Sequence, residues 1–493
     1  MDGFLLGGRK IGAWMSAFAY GTSYFSAVIF VGYAGTHGWN IGFASIWIGV
    51  GNAVLGCFLA WKVLARRTRR MTRTLSARTM PEFFAARYLS PRMKIFAALI
   101  IFIFLVPYAA GVYKGLGAFF GVIFPGAENL IPGVSANMLC LMIVALLTGA
   151  YLILGGYLAT AITDFAQGII MLVGVVVMVV ALVSSDAVGG LSQAVTALRD
   201  NAEVPHLTSL FGGSQWSFLL INILLTSFGT WALPQMVTKF YAVRDEGAIK
   251  RGTVVVTIFS LVIGCGAYFS GVFGRVALGN KLPEGGLDAV MPTMLTRVFG
   301  GEGNLGGNIL LAVILILLLS ASMSTLAAIV LSSSSAISVD LAQTVKKDIG
   351  RKEQMLLTRV LCLVFVGLSF LFAISNFSII VSIMSYSWGV VSGCFIGPFV
   401  WGLYKKGITR AGAWAGMLGG FGTMLVMTLV YTLSNPALSD GFYAAFQAAS
   451  RNSPVFGVTA MAVSVVLVPV VSRFTKKYDK AHVEAVFAVS EDQ

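Results

Sequence analysis

Ser324 and Thr325 stand side by side in a long apolar run, LLLSASMSTLAAIVLSSSSAISVD. Ser320 and Ser324 are four residues apart, as are Ala321 and Thr325, so each pair shares a helix face. Adjacent hydroxyls offer hard oxygens without adding charge. A small monovalent cation such as Na+ needs several oxygens of that kind, by extension from the oxygen preference of Mg2+ and Ca2+. The same hydroxyls could instead bond back to carbonyls one turn earlier, or let helices pack closely. A complementary feature lies in SAFAYGTSYFSAVIFVG, where Gly21, Thr22 and Ser23 interrupt an apolar helix at mid-depth. Unwinding there would free backbone carbonyls, which lipid tolerates only where something satisfies them. Broken helices of this kind build Na+ sites near the bilayer midplane.

Ionisable groups inside apolar runs are costly and so are functional candidates. Asp164, in GGYLATAITDFAQG, lies one or two turns into its helix, where the helix dipole could also stabilise it. Lys114, in VPYAAGVYKG, could snorkel to the outer interface. His37, His206 and His482 fall at interfaces or outside the runs, so a buried histidine relay has no support. No run pairs carboxylates, clusters histidines or sets a nucleophile beside a base, which argues against a membrane enzyme. Cys57, Cys140, Cys265, Cys362 and Cys394 are widely spaced within apolar runs and form neither a disulfide framework nor a zinc motif.

These residues must be positioned by helices in a bilayer. Of the 493 residues 57% are hydrophobic and only 11% charged, and the mean hydropathy is +0.86. A soluble domain carries roughly 25% charged residues. The composition therefore excludes a soluble enzyme, a nucleic-acid binder and a disordered chain. The apolar runs are continuous, which excludes a transmembrane barrel. At about 20 residues per crossing, twelve spans are predicted: 13–36, 41–63, 95–123, 135–155, 157–184, 215–240, 252–278, 306–338, 356–375, 377–402, 411–433 and 454–472. Their alternation places 28 of the 34 Lys and Arg on one side, with both termini and Lys239 among the loop cations. The positive-inside rule makes that side cytoplasmic, so most of the net charge of +14 reports topology.

The stretch FLLGGRKIGAWMSAFAYGTSYFSAVIFVG resembles the start of the sodium:solute symporter core. TMPEFFAARY, GGYLATAITDFAQG and SMSTLAAIVLSSSSAISVDL are similar to three further segments of that family. SIMSYSWGVVSGCFIGPFVWGLYKKGITRAGAWAGMLGG is similar to its proline-transporting branch, and the resemblance runs in order from residue 4 to about 420. It implies an all-α polytopic membrane protein of LeuT-type fold, with two inverted five-helix repeats plus two C-terminal helices. The divisions would be a cytoplasmic segment 1–12, a transport core 13–402 (repeats 13–184 and 215–402), two peripheral helices 411–472 and a cytoplasmic tail 473–493. Family members usually have one more helix before the G-G-R segment, here Gly7-Gly8-Arg9, whereas this chain begins at Met1 within that loop.

The resemblance also implies a sodium site. Its backbone carbonyls would fall on Thr22, Phe25 and Ala321, and its hydroxyls on Ser324 and Thr325. Members with a second sodium place hydroxyls where this chain has Ala327 and Ala328, so a single Na+ is expected, with Asp164 on the ion's pathway. Sialic-acid carriers have an arginine where Tyr108 aligns, which disfavours that solute. The expected function is sodium-coupled import of a small organic solute by alternating access, an amino or organic acid ahead of a sugar. The alternative is a LeuT-fold channel or sensor; the short tail after Arg473 counts against a sensor. Candidate solute-lining residues are Tyr24, Ser26, Tyr108, Trp231, Gln235, Tyr386 and Trp388. The expected partners are the solute, Na+ and the bilayer of the cell membrane, with no nucleic acid and with the monomer as the working unit.

Overall fold

In lipid, each backbone N–H and C=O must find its partner within its own segment or in neighbouring protein, so long apolar runs become helices. The computed structural model describes residues 2–488 apart from 125, 127–130, 132, 302, 346–348, 376 and 377. Among these residues there is no β-strand, only an isolated bridge between Ile11 and Val243. Nine helices are long and apolar enough to cross a membrane, or ten if one bent pair counts as a span.

In chain order the spans are α1 (Ala13–Tyr24 continuing, past a break, as 29–41), α2 (46–74), α3 (Pro91–Ile123) and the run Ala136–Val183. That run is helical over 48 residues, roughly 72 Å at 1.5 Å per residue and far more than the ~30 Å hydrocarbon core. The sequence pattern divided it into two spans, 135–155 and 157–184, whereas the backbone is helical without interruption. Asn137 abuts Gly117 near the end of α3, Tyr157 abuts Gly7 near the N-terminus, and Gly174 abuts Leu317. We therefore treat Ala136–Ala150 as α4 and Tyr157–Val183 as α5. The expected reversal falls at 151–156, whose side chains lie outside the described residues.

The remaining spans are α6 (Trp216–Gly229 and Pro234–Ala242, bent by 43°), α7 (Glu246–Leu278), α8 (Leu305–Thr344), α9 (Arg351–Ile374), α10 (Ile380–Tyr404), α11 (Arg410–Leu433) and α12 (Ser453–Phe474). The sequence pattern had α6 unbroken over 215–240. Instead Pro234, which has no N–H to give to the preceding turn, opens a second helical piece. The basic stretch expected as a loop at 64–94 is largely helical, because α2 continues to Thr74 and Met80–Tyr88 forms a short helix.

Arginines tie the loops of the cation-rich end together. Arg69 Nε donates to the Val243 carbonyl at 3.0 Å, Arg87 to those of Gly402 and Lys405 at 3.0 Å each, and Arg410 to that of Tyr88 at 3.0 Å. These bonds satisfy carbonyls that helix ends and loops leave without a backbone donor. They also place the segments around 69–88, 243 and 402–410 at one end, as the loop alternation predicts. The C-terminal helix Lys480–Phe487 docks at the same end, where His482 contacts the Arg87 carbonyl at 3.1 Å. Residues 489–493 of the predicted tail lie outside the described residues. The outer faces of α4, α5, α9 and α11 expose Leu146, Val173, Leu371 and Val426, as lipid-facing helices should.

Candidate functional site

The break in α1 lies at Phe25–Ser26, a few residues beyond the Gly21–Thr22–Ser23 interruption that the sequence pointed to. Gly21 has a packing role. A Cβ there would come within 2.4 Å of the Phe259 ring on α7, so only glycine allows this approach. Phe25 is extended (φ −103°, ψ 118°), and its N–H closes the first half of the helix on the Gly21 carbonyl at 3.0 Å. The break is then satisfied from outside and from within: Ser322 Oγ of α8 accepts from Ala27 N at 3.2 Å, and the break's own Ser26 Oγ accepts from Val28 N at 3.2 Å.

Next to the break, α8 presents its hydroxyls. Thr325 Oγ1 lies 3.0 Å from the Thr22 carbonyl oxygen and 3.1 Å from that of Ala321. Around a cation held at about 2.4 Å, neighbouring oxygens sit roughly 3.4 Å apart. The three oxygens are thus spaced as slightly contracted ligands. The lone Thr325 proton bridges the two carbonyls. Ser324 Oγ donates to Asp164 Oδ1 at 2.6 Å and lies 2.8 Å from Thr22 Oγ1. A hydroxyl has one proton. With that proton on the carboxylate, the lone pairs of Ser324 remain available to a cation, and the carboxylate orients them. Thr22, Ala321, Ser324, Thr325 and Asp164 are thus brought together, with Phe25 at the adjacent break. All are fully buried or nearly so.

Asp164 corrects one expectation and reveals a missed residue. The helix-dipole account is replaced by direct partners, because the second carboxylate oxygen lies 3.5 Å from Lys239 Nζ. Lys239, counted as a loop cation from the sequence, is 3% exposed in the second half of α6. The bend after Gly229 carries it inward. Its ammonium also faces the Tyr157 ring, 5.2 Å from the centroid.

Beyond the break a cavity of about 20 Å³ lies between α1, α2, α6, α7 and α10. That is room for about one water. Of the predicted lining residues, Tyr24, Ser26 and Trp388 border it, joined by Asn52, Thr226 and Tyr268, which sequence reasoning missed. Tyr108 stands behind, edge-on to Trp388 with ring centroids 5.7 Å apart. Gln235 borders a second cavity, shared with Lys239, Tyr157 and Ala328. Trp388 Nε1 and both Gln235 amide atoms are buried without a closed hydrogen bond among the described residues, although the Tyr108 hydroxyl faces both side chains. The structure sets Trp231 and Tyr386 apart from these cavities. The Trp231 indole donates to the Leu55 carbonyl at 3.0 Å, and Tyr386 packs against Phe446 in an apolar hollow.

The other buried ionisable groups are paired or capped. Lys114 is ion-paired to Asp288 at 3.6 Å and donates to the Ser378 carbonyl, so it has specific partners where snorkelling alone was expected. Burial pushes the Asp288 carboxyl above its ordinary range, and the Lys114 ammonium and the Ile380 N–H oppose that rise. His37, expected at an interface, is fully buried in the outer half of α1. Its Nδ1 lies 2.7 Å from the Tyr33 carbonyl, and its ring stacks on Tyr33 and Phe218.

A LeuT-type membrane carrier is what these features define: among the described residues, a bundle of nine or ten apolar spanning helices, with breaks in α1 and α6 beside a small cavity and a cluster of buried oxygens. The sodium:solute symporter family model matches residues 4–420, and the chain belongs to that family. The chain is 27% identical to the osmoregulated proline transporter OpuE of Bacillus subtilis (strain 168), over 90% of this chain and 86% of that protein. It is 27% identical to a sodium/proline symporter of Staphylococcus aureus, over 96% and 88%. Among solved structures, a Na+-coupled sialic acid symporter in a substrate-bound outward-open state matches the fold with a TM-score of 0.70. That match has 17% identity and covers 97% of this chain and 93% of the other. The protein is a multi-pass transporter for sodium-coupled solute uptake.

Proposed function

We propose that the chain imports a small zwitterionic solute, an amino acid of proline size first among candidates, together with one Na+ per cycle. The ion is held by the carbonyls of Thr22, Phe25 and Ala321 and the hydroxyls of Ser324 and Thr325. The observation that carries this reading is the Thr325 hydroxyl set between the Thr22 and Ala321 carbonyls, with Ser324 beside it on Asp164. Na+ would displace the bridging proton's contacts and draw the broken half of α1 against α8. This is how an ion can bias one state of a rocking core.

The cavity bordered by Tyr24, Ser26 and Trp388 would widen in another state of the cycle to take the solute, which would reach toward Tyr108 and Gln235. No charged residue borders that cavity. The bound Na+ would then be the counter-charge on offer to a solute carboxylate, which amino acids and organic acids both carry. The buried, unbonded Trp388 N–H and Gln235 amide are the polar groups that a solute would satisfy. Both relatives compared above are proline transporters, which supports starting with that class. A cavity with room for about one water fits alternating access better than a continuous pore.

In this reading the cation-rich end and both termini face the cytoplasm. Residues 13–184 and 215–402 are the two repeats, 411–472 lie peripheral and the monomer suffices. The test is uptake of radiolabelled proline, and of a panel of amino acids and organic acids, by proteoliposomes. Accumulation under an inward Na+ gradient and none under a matched K+ gradient is expected. Equal uptake in the two would refute the assignment.

A further inference from the structure

We propose that Lys239 is a tethered cation standing in for a second sodium ion, which fixes coupling at one Na+ per solute. This inference rests on the symport reading above and deepens it.

Asp164 divides its two oxygens between two partners. One accepts from Ser324, a ligand of the proposed ion site, at 2.6 Å, and the other lies 3.5 Å from the Lys239 ammonium. Both side chains are buried, at 1% and 3% exposure, so neither charge could stand there alone. A metal cation beside Asp164 would need several further oxygens to replace its hydration shell. On the α8 turn that follows Ser324 the chain does not supply them, although Thr160, Gln235, Ser332 and Ser335 border the adjacent cavity. Three and four residues after Ser324 come Ala327 and Ala328, and the Ala328 methyl borders the cavity that Lys239 enters. An ammonium makes no such demand. It needs acceptors, which Asp164 provides, and its other side rests against the face of the Tyr157 ring at 5.2 Å. Because Lys239 is covalently part of the second half of α6, its charge stays with the carrier through every cycle. A sodium ion in that place would be carried across and released.

A merely structural ion pair stapling α5 to α6 would leave ion stoichiometry untouched, so stoichiometry is the discriminating measurement. Fluxes of 22Na+ and radiolabelled proline are measured in the same proteoliposomes. Wild type should give a ratio near one and a hyperbolic Na+ dependence. Lys239→Ala exposes an unneutralised Asp164, and the ratio should climb toward two with a sigmoidal Na+ dependence. Lys239→Arg keeps the cation and should stay at one. Lys239→Ala combined with Asp164→Asn removes the anchor as well and should return to one.

If Lys239→Ala fails to fold, Ala327→Ser and Ala328→Ser are added to supply the missing oxygens. That triple variant should show the ratio near two, and Na+ over K+ should raise its melting temperature more than it does for wild type. A wild-type ratio of two overturns the proposal while leaving symport intact, as does a ratio of one in folded Lys239→Ala or in the triple variant. No Na+-driven uptake by wild type would overturn the symport reading itself, and this inference with it.

Discussion

Two spans of this molecule are broken, and they are satisfied in different ways. At the α6 break the chain closes on itself: Trp231 N donates to the Phe228 carbonyl at 3.1 Å, Ala232 N to Gly229 at 3.3 Å, and Thr230 Oγ1 to Ser227 at 2.8 Å. Bonds to other helices are added to that closure: Ser392 Oγ to the Gly229 carbonyl at 2.6 Å, Thr230 Oγ1 to that of Gly56 at 3.4 Å and the Trp231 indole to that of Leu55 at 3.0 Å. The α1 break relies on another helix. Ser322 caps its N–H, Thr325 meets its carbonyl, and Asp164 stands behind Ser324. A locally closed break is a bend that can move as a unit. A break completed by a facing helix holds polar groups that an ion can take over. On the proposed assignment, the difference explains why the ion would be held at α1 and why α6 instead delivers Lys239 beside it.

The largest effect should come from the charge behind the α1 break. Asp164→Asn leaves the Lys239 ammonium buried and unpaired, which should destabilise the purified protein by about 3–5 kcal/mol. Denaturant melts with and without a compensating Lys239→Gln would show it, and a wild-type melt for Asp164→Asn alone would mean that the pair holds nothing. Next is the cap on the break. Ser322→Ala strands the buried Ala27 N–H and should cost roughly 1–3 kcal/mol. The equivalent change at the other break, Thr230→Ala, removes a bond from a turn that keeps its backbone closure and should cost about 1 kcal/mol or less. Equal losses at the two positions would erase the distinction between the breaks.

The smallest effect is a control far from both. Asp245 caps the start of α7, accepting from Ala248 N at 2.6 Å. The Arg244 guanidinium, and then that N–H, hold its carboxyl below the ordinary value of 3.8. A depressed carboxyl contributes stability in full above its ordinary value and loses it progressively as the pH falls from there through the depressed one. Asp245→Ala should therefore cost about 0.5–1 kcal/mol at neutral pH. The gap from wild type should close below about pH 4. A gap that widens on acidification would contradict the assignment.

The parts of this account that were legible in the sequence depend on local pattern. Continuous apolar runs marked most of the spans, and the Ser324–Thr325 spacing on α8 pointed to the hydroxyls that meet the α1 carbonyl in the proposed ion site. Asp164 stood out as an acid in an apolar run. What stayed hidden depends on which faces meet. Spans that are apolar all round give no contrast between lipid-facing and core-facing sides. Aromatics chosen by depth therefore included Trp231 and Tyr386, while Asn52, Thr226 and Tyr268, which do border the cavity, were passed over. Lys239 looked like a loop cation because the bend at Pro234 is what turns it inward. Gly21 looked like a helix breaker because its real partner, Phe259, lies on a helix more than 200 residues away.

The central claim is that the Thr325 hydroxyl is a sodium ligand rather than a packing group. The direct test is the melting temperature of purified protein titrated with NaCl at constant ionic strength, balanced with KCl, for wild type, Thr325→Ser and Thr325→Ala. Binding to the folded state raises stability by mass action. Wild type and the serine variant should show closely similar Na+-dependent stabilisation. The alanine variant should need roughly tenfold to a hundredfold more Na+, the equivalent of losing one charge-assisted contact. Identical Na+ titrations for the serine and alanine variants would contradict the account, because they would make Thr325 a packing residue and move the ion elsewhere.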